Sequence, residues 1–327
     1  MPDQPRVRTM ACVGGISLER GVPLEDLQEY LHDAENVLWM DVQNPGPDER
    51  AMLVEEFGFH PLALEGTAQE PRRPKVEEYK GYLALIACSA LPGEADDDAT
   101  LAAVDLFIGR NFVVTLYRGP VPAIDDGLAR WTRGGQTLRE GVGALIYALL
   151  DALVDSFVPA IDRVEDEINE IEIAVFTRPP EESLRRLLRL KRSLMALRRV
   201  LYPLREVFSV LLRPDPPVPL RGTDIYLRKV SDHVLRILDV LDTEREMVAG
   251  ALEATLTVSS NRLNNTMKTL AVITVAMAVV GSVFGAYGMN FEAIPLEDAA
   301  WGFWAVAVGT IGLVGLAVLL GSWRRWW

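Results

Sequence analysis

Basic charge is scarce in this chain. Its 33 lysines and arginines stand against 46 aspartates and glutamates, a formal net charge of −13. No compact basic arm or aromatic-basic motif offsets that balance, so a general nucleic-acid binder is excluded. Cysteine is nearly absent. Cys12 and Cys88 are the only two. Each falls in a predicted strand, so buried thiols are expected and a disulfide scaffold is not. There is no Gly-rich phosphate loop, no Walker-type Gly-Lys-Ser/Thr and no histidine paired with a nucleophile motif. Neither an enzyme nor a resident cofactor is expected. The N-terminus shows no charged and apolar leader. Proline is missing from Asp224 to Ile294, and charge is missing from Leu270 to Tyr287.

The last two absences coincide. As a helix, Leu270 to Tyr287 is about 27 Å long, close to a hydrocarbon core of about 30 Å. A second apolar run follows from Trp301 to Gly321, and the two make a C-terminal membrane hairpin. Without proline, one helix is predicted from Asp224 through the bilayer to Tyr287, about 95 Å long. Its apolar stripe is Val230, Val234, Ile237, Leu241, Met247, Leu252 and Leu256. The alternative is a break near Gly250. A helix of that length needs partners along it, which favours an oligomer. Arg262 and Lys268 precede the first span, Arg324 and Arg325 follow the second, and the loop between carries Glu292, Glu297 and Asp298 without a basic residue. The positive-inside rule then puts both termini in the cytoplasm and the acidic loop outside.

The remainder reads as soluble. Strands are predicted at Arg6–Val13, Asn36–Val42, Lys80–Leu91, Leu101–Ile108 and Phe112–Tyr117, with helices at Pro23–His32 and Asp48–Phe57. Leu145 to Ile173 repeats apolar residues at helical spacing, Pro179-Pro180 interrupts, and Glu181 to Leu212 resumes. Asp151 to Glu182 is acid-rich and Arg185 to Arg199 is basic, so antiparallel packing would pair opposite charges and set register. The expected class is α+β with membrane spans. The expected organisation is a cytoplasmic α/β domain (1–135), an antiparallel helix hairpin (136–215) and the cytoplasmic part of the stalk helix (221–269). A first span (270–287), an outer loop (288–300), a second span (301–321) and a basic-aromatic tail (322–327) follow.

Tyr287-Gly288-Met289-Asn290-Phe291-Glu292 with Pro295, at the outer end of the penultimate span, resembles the pore mouth of the CorA family of magnesium and cobalt channels. Arg73-Pro74-Lys75-Val76-Glu77, Asp151-Ala152-Leu153-Val154-Asp155 and Pro203-Leu204-Arg205-Glu206-Val207 resemble further runs of that family. The resemblance implies a funnel-shaped homopentamer in the bacterial inner membrane, with Mg²⁺ as substrate and Co²⁺ or Ni²⁺ next. It implies that Gly288, Met289 and Asn290 ring the outer mouth, that Asn264 and the position of Gly281 line the pore, and that Met267 and Leu270 form a hydrophobic gate. Glu292, Glu297 and Asp298 would concentrate cations outside. An amide ring suits Mg²⁺, which dehydrates reluctantly and can be held through its waters.

The chain also departs from that pattern. Gly281 stands where the family has a threonine, and Val279 where it has a proline. Gly66 and Lys229 occupy the two positions at which facing aspartates bind regulatory Mg²⁺. Glu65, Glu70 and Asp232 are the nearby candidates for a replacement site, and Asp162, Asp166 and Glu170 on the acidic helix are another. Two alternatives stay open: a ZntB-like proton-coupled Zn²⁺ transporter, and a non-conducting membrane-anchored structural or sensory oligomer.

Overall fold

The computed structural model describes residues 6–66, 73–93, 100–133, 141–174, 180–213, 218, 220, 222–289 and 301–323. They divide into two compact units, Met1–Ala174 with Glu182–Ala251, and Val175–Glu181 with Leu252–Trp327.

The first unit is built on a sheet. β1 (Arg6–Val13), β2 (Ser17–Arg20), β3 (Val37–Gln43), β4 (Lys75–Tyr79), β5 (Tyr82–Ala90), β6 (Leu101–Ile108) and β7 (Phe112–Tyr117) lie in the order β2-β1-β3-β7-β6-β5-β4. β3 and β7 run parallel and the other neighbours antiparallel. β2 and β4 are short and largely polar, and alternation did not reveal them. The strand expected from Lys80 begins at Tyr82, because Lys80-Gly81 is the hairpin turn and Gly81 sits at φ 94°. Glycine adopts that backbone without a steric penalty.

Period-two side chains sort the core onto two faces. Leu38, Met40 and Val42 of β3 join Phe107, Val114 and Leu116 under α1 (Leu27–His32), α2 (Pro47–Phe57) and α3 (Pro61–Glu65). On the other face, α5 (Val142–Asp155) packs on β5 and β7 and against α4 (Pro122–Arg133). Asp41 is wholly buried on that face. It accepts hydrogen bonds from Arg8 (2.6 and 2.8 Å), Thr115 (2.5 Å) and Tyr117 (3.0 Å). Arg8 also pairs with Asp125 of α4, so a buried charge is neutralised and α4 is tied to the sheet.

The single helix expected over Leu145–Ile173 is two, α5 and α6 (Val158–Ala174). Pro159 has no N–H to give the carbonyl of Asp155, and Ser156 turns its hydroxyl to Leu153 (2.6 Å) while accepting from the Ala90 amide (3.0 Å). The antiparallel hairpin proper is therefore α6 with α7 (Pro180–Leu211). Its charges pair as the sequence suggests: Arg186 meets Glu167 and Glu170 at 3.1 and 2.9 Å, and Arg189 meets Glu167 at 3.4 Å.

α8 (Asp224–Tyr287) is one helix of 64 residues, continuous through Gly250. α9 (Gly302–Trp323) follows. In the first unit, Leu187, Leu190, Leu194, Leu197, Leu201 and Leu204 of α7 are buried at alternating steps of three and four. The same steps continue along α8 through Leu227, Val230, Val234, Ile237, Leu241, Glu244, Val248 and Ala251. This is coiled-coil spacing. The predicted stripe holds to Leu241 and then slips. The step of three from Leu241 lands on Glu244, and Leu256 is exposed. His233 of α8 meets Asp155 of α5 at 3.3 Å, and Asp155 also binds Arg130 of α4 at 2.7 Å.

Among the described residues, three stretches are long and apolar enough to cross a membrane: Val142–Ala174, the end of α8, and Gly302–Gly321. They differ in burial. The most apolar window of the first is 67% buried within the protein, against none of the second and 6% of the third.

Candidate functional site

The end of α8 carries the sequence-predicted site. Gly288 donates its amide to the carbonyls of Phe284 (3.1 Å) and Gly285 (3.2 Å), and Met289 donates to Ala286 (3.3 Å). Gly288 and Met289 thus close the helix in a tight turn. Asn290, Glu292, Glu297 and Asp298 lie outside the described residues, as do Glu70, Arg324 and Arg325.

Within the second unit, α8 shows two faces. Val272, Ala276, Val279 and Val283 are half-buried. Val272, Ala276 and Val279 line a crevice of about 340 Å³ with Leu313, Val314, Ala317 and Val318 of α9. At about 3.6 residues per turn, Met267, Leu270, Thr274, Gly281 and Gly285 fall on the opposite side. All five are exposed, Met267 at 61% and Leu270 at 63%. Met267, Leu270 and Gly281 therefore share one face, turned away from α9. Asn264, also exposed, precedes Met267 by one turn. A side chain at Gly281 or Gly285 would touch nothing within 4 Å in the single chain. Nothing inside one subunit requires glycine there.

Thr274 is a residue the sequence reading missed. Its hydroxyl donates to the carbonyl of Leu270 at 2.8 Å, which satisfies the proton inside an apolar stretch and leaves oxygen lone pairs outward. It lies two turns before Gly281 on the same face. The available signal was its place in the face pattern: a hydroxyl seven residues, about two turns, before Gly281.

The candidate regulatory residues are scattered. Gly66 ends α3, and Glu65, Lys229 and Asp232 are not buried against any partner, all three being exposed. Glu170 is held by Arg186, and Asp162 and Asp166 are exposed on α6. Among the described residues no three His, Cys, Asp or Glu side chains gather to hold a metal ion.

A mixed-sheet domain followed by long helices, some apolar enough to span a bilayer, defines a membrane-associated protein. Its family follows from comparison: residues 34–322 match the family described as CorA-like Mg²⁺ transporter protein, and the chain belongs to it. The chain is 30% identical to the cobalt/magnesium transport protein CorA of Thermotoga maritima, over 93% of this chain and 90% of that one. It is 27% identical to the divalent cation transporter CmaX of Pseudomonas aeruginosa, over 90% and 86%. The complete structure of the CorA magnesium transporter from Methanocaldococcus jannaschii superposes with a TM-score of 0.78 at 24% identity, over 95% of this chain and 96% of that one. That last likeness establishes the fold. The family is one of transporters of divalent cations, with Mg²⁺ as substrate, and not of enzymes.

Proposed function

We propose that the chain conducts hydrated Mg²⁺, and with it Co²⁺ or Ni²⁺, through an axial pore built by several copies. The observation that carries this reading is the open face of α8 opposite α9, which ends at Gly288-Met289-Asn290. Two spans from one chain cannot enclose a channel, so the open faces of several subunits meet around the axis, five copies on the family pattern. The spans are the end of α8 and α9. The apolar stretch at Val142–Ala174 belongs to the soluble part, as its burial against the sheet and stalk supports. Both termini then lie in the cytoplasm, on the side of Arg262 and Lys268.

In this reading Asn290 holds the waters of the entering ion, and the outer acids Glu292, Glu297 and Asp298 raise its local concentration. Met267 and Leu270 form the apolar constriction that closes by dewetting, and Asn264 lies below it. Thr274 supplies the hydroxyl ring that Gly281 does not. Small residues at Gly281 and Gly285 let neighbouring helices approach. The test is flux in proteoliposomes for Mg²⁺, Co²⁺ and Zn²⁺, with and without a pH gradient. Downhill Mg²⁺ flux indifferent to the gradient is expected. Zn²⁺ flux that needs the gradient would replace this reading with a proton-coupled zinc transporter, and no flux of any ion with a structural or sensory oligomer.

A further inference from the structure

Glu244 occupies a core position of the stalk. It is 4% exposed, between Leu241 and Val248 on the buried seam of α8, and its Oε2 has no hydrogen-bond partner. A buried carboxylate without a partner is costly in its charged form. No cation relieves it. On α8 itself, Val240, Leu241, Met247 and Val248 stand three and four residues away. Arg245, Lys191 and Arg199 line one surface pocket beside this level, and Arg198 of α7 lines it with them. Arg198 lies 4.0 Å from Asp242 and stacks on the Tyr202 ring at 4.7 Å, and the Tyr202 hydroxyl donates to Asp242 at 2.7 Å. Leu194, Leu197 and Leu201 complete the α7 side, with Ser193 as a buried but non-titrating neighbour. On α6 the charged group that acts on Glu244 is another acid, Glu165. Asp162 and Asp166 flank it on the exposed side.

We propose that Glu244 is a proton-binding joint of the stalk, closely packed when its buried carboxyl holds a proton and loosened when it is charged. The occupant is a proton rather than Mg²⁺, which keeps several waters and does not suit a buried, desolvated oxygen. Among the described residues no third metal-binding side chain joins Glu244 and Glu165. Burial first, and the charge of Glu165 second, push the Glu244 carboxyl above its ordinary range. The sign follows: the folded state binds the proton more tightly than the unfolded chain does. The contribution of Glu244 is therefore fully present below the ordinary carboxylate pKa and is lost as pH rises through the raised one. Cytoplasmic acidification would tighten α8 against α6, upstream of the membrane end of the same helix. The joint itself does not depend on the transport reading, because it is measured on stability alone.

The test is thermal unfolding of the full-length assembled protein at about pH 4 and about pH 8, the lower of the two below the ordinary carboxyl value of about 4.3. Parent, Glu244→Gln and Glu165→Gln are compared, each with and without excess Mg²⁺. Glu244→Gln, neutral at both values, is expected to melt a few degrees above the parent at about pH 8 and level with it at about pH 4. Glu165→Gln is expected to narrow the parent's gap in the same direction. A Glu244→Gln curve parallel to the parent's overturns the proposal. So does a stabilisation by Mg²⁺ at about pH 8 that disappears in Glu244→Gln, since Glu244 would then hold metal. If Glu244→Gln fails to assemble, Glu165→Gln decides: its side chain is exposed, and an unchanged pH dependence in that variant overturns the proposal.

Discussion

From Leu227 to Ala251 the inner face of α8 is buried in a seam shared with α7 and α6, whereas from Met267 to Gly285 one whole side of the same helix is open. The buried stretch packs within its own chain, through leucines and valines at heptad spacing, a Tyr202–Asp242 hydrogen bond and a His233–Asp155 contact, with one Glu244 oxygen left unsatisfied. The open stretch carries a methionine, a leucine, a threonine and glycines that no atom of the chain requires. One helix thus contributes to a folding core at one end and, in the proposed function, faces other copies at the other. Mutations in the two stretches are therefore expected to read out differently, in stability for the first and in flux for the second.

The largest separation is expected at the outer end. Asn290→Ala should lower Mg²⁺ flux in proteoliposomes roughly tenfold or more while the oligomer still assembles, because the amide ring that holds the ion's waters is gone. Unchanged flux in an assembled variant would detach the motif from conduction. Next is Leu241→Ala, in the buried stretch. It should cost about 2–5 kcal/mol of stability, measured by denaturant unfolding, with conduction of the folded fraction retained. Third, replacing Met267 and Leu270 together by serine should raise resting ion leak several-fold at little cost in stability. A variant as tight as the parent would place these residues in packing. The smallest effect concerns Mg²⁺ itself. With Gly66 and Lys229 in place of facing carboxylates, Mg²⁺ should protect the oligomer from limited proteolysis less than it protects a relative carrying aspartates there. Equal protection that disappears on neutralising Asp162, Asp166 and Glu170 would put the sensor on α6.

The unbroken α8 was legible because proline is absent for its whole length, and a lone Gly250 costs a helix only about 1 kcal/mol. The β6–β7 hairpin was legible from Gly109-Arg110-Asn111 between two apolar runs. The α5–α6 break was not, because apolar periodicity continues across Ser156 while the break depends on a hydrogen bond to β5. Glu244 was passed over for the opposite reason. A charge at position 244 interrupts the apolar pattern, and the heptad that buries it becomes visible only once α7 is laid beside α8. The site was read mostly by resemblance at Gly288-Met289-Asn290, Asn264, Met267 and Leu270. What the sequence could not supply is the face pattern, since only the position of α9 says which side of α8 is open.

The central claim, that the side of α8 opposite α9 borders the ion path, can be tested with single cysteines. Cys12 and Cys88 are buried at 0% and 2% exposure, so background labelling is low. Mg²⁺ flux is measured in reconstituted Thr274→Cys and Val279→Cys proteins before and after a water-soluble, thiol-specific cationic reagent. Block of Thr274→Cys with Val279→Cys unaffected is the predicted result. Block of Val279→Cys, or of neither, would contradict it.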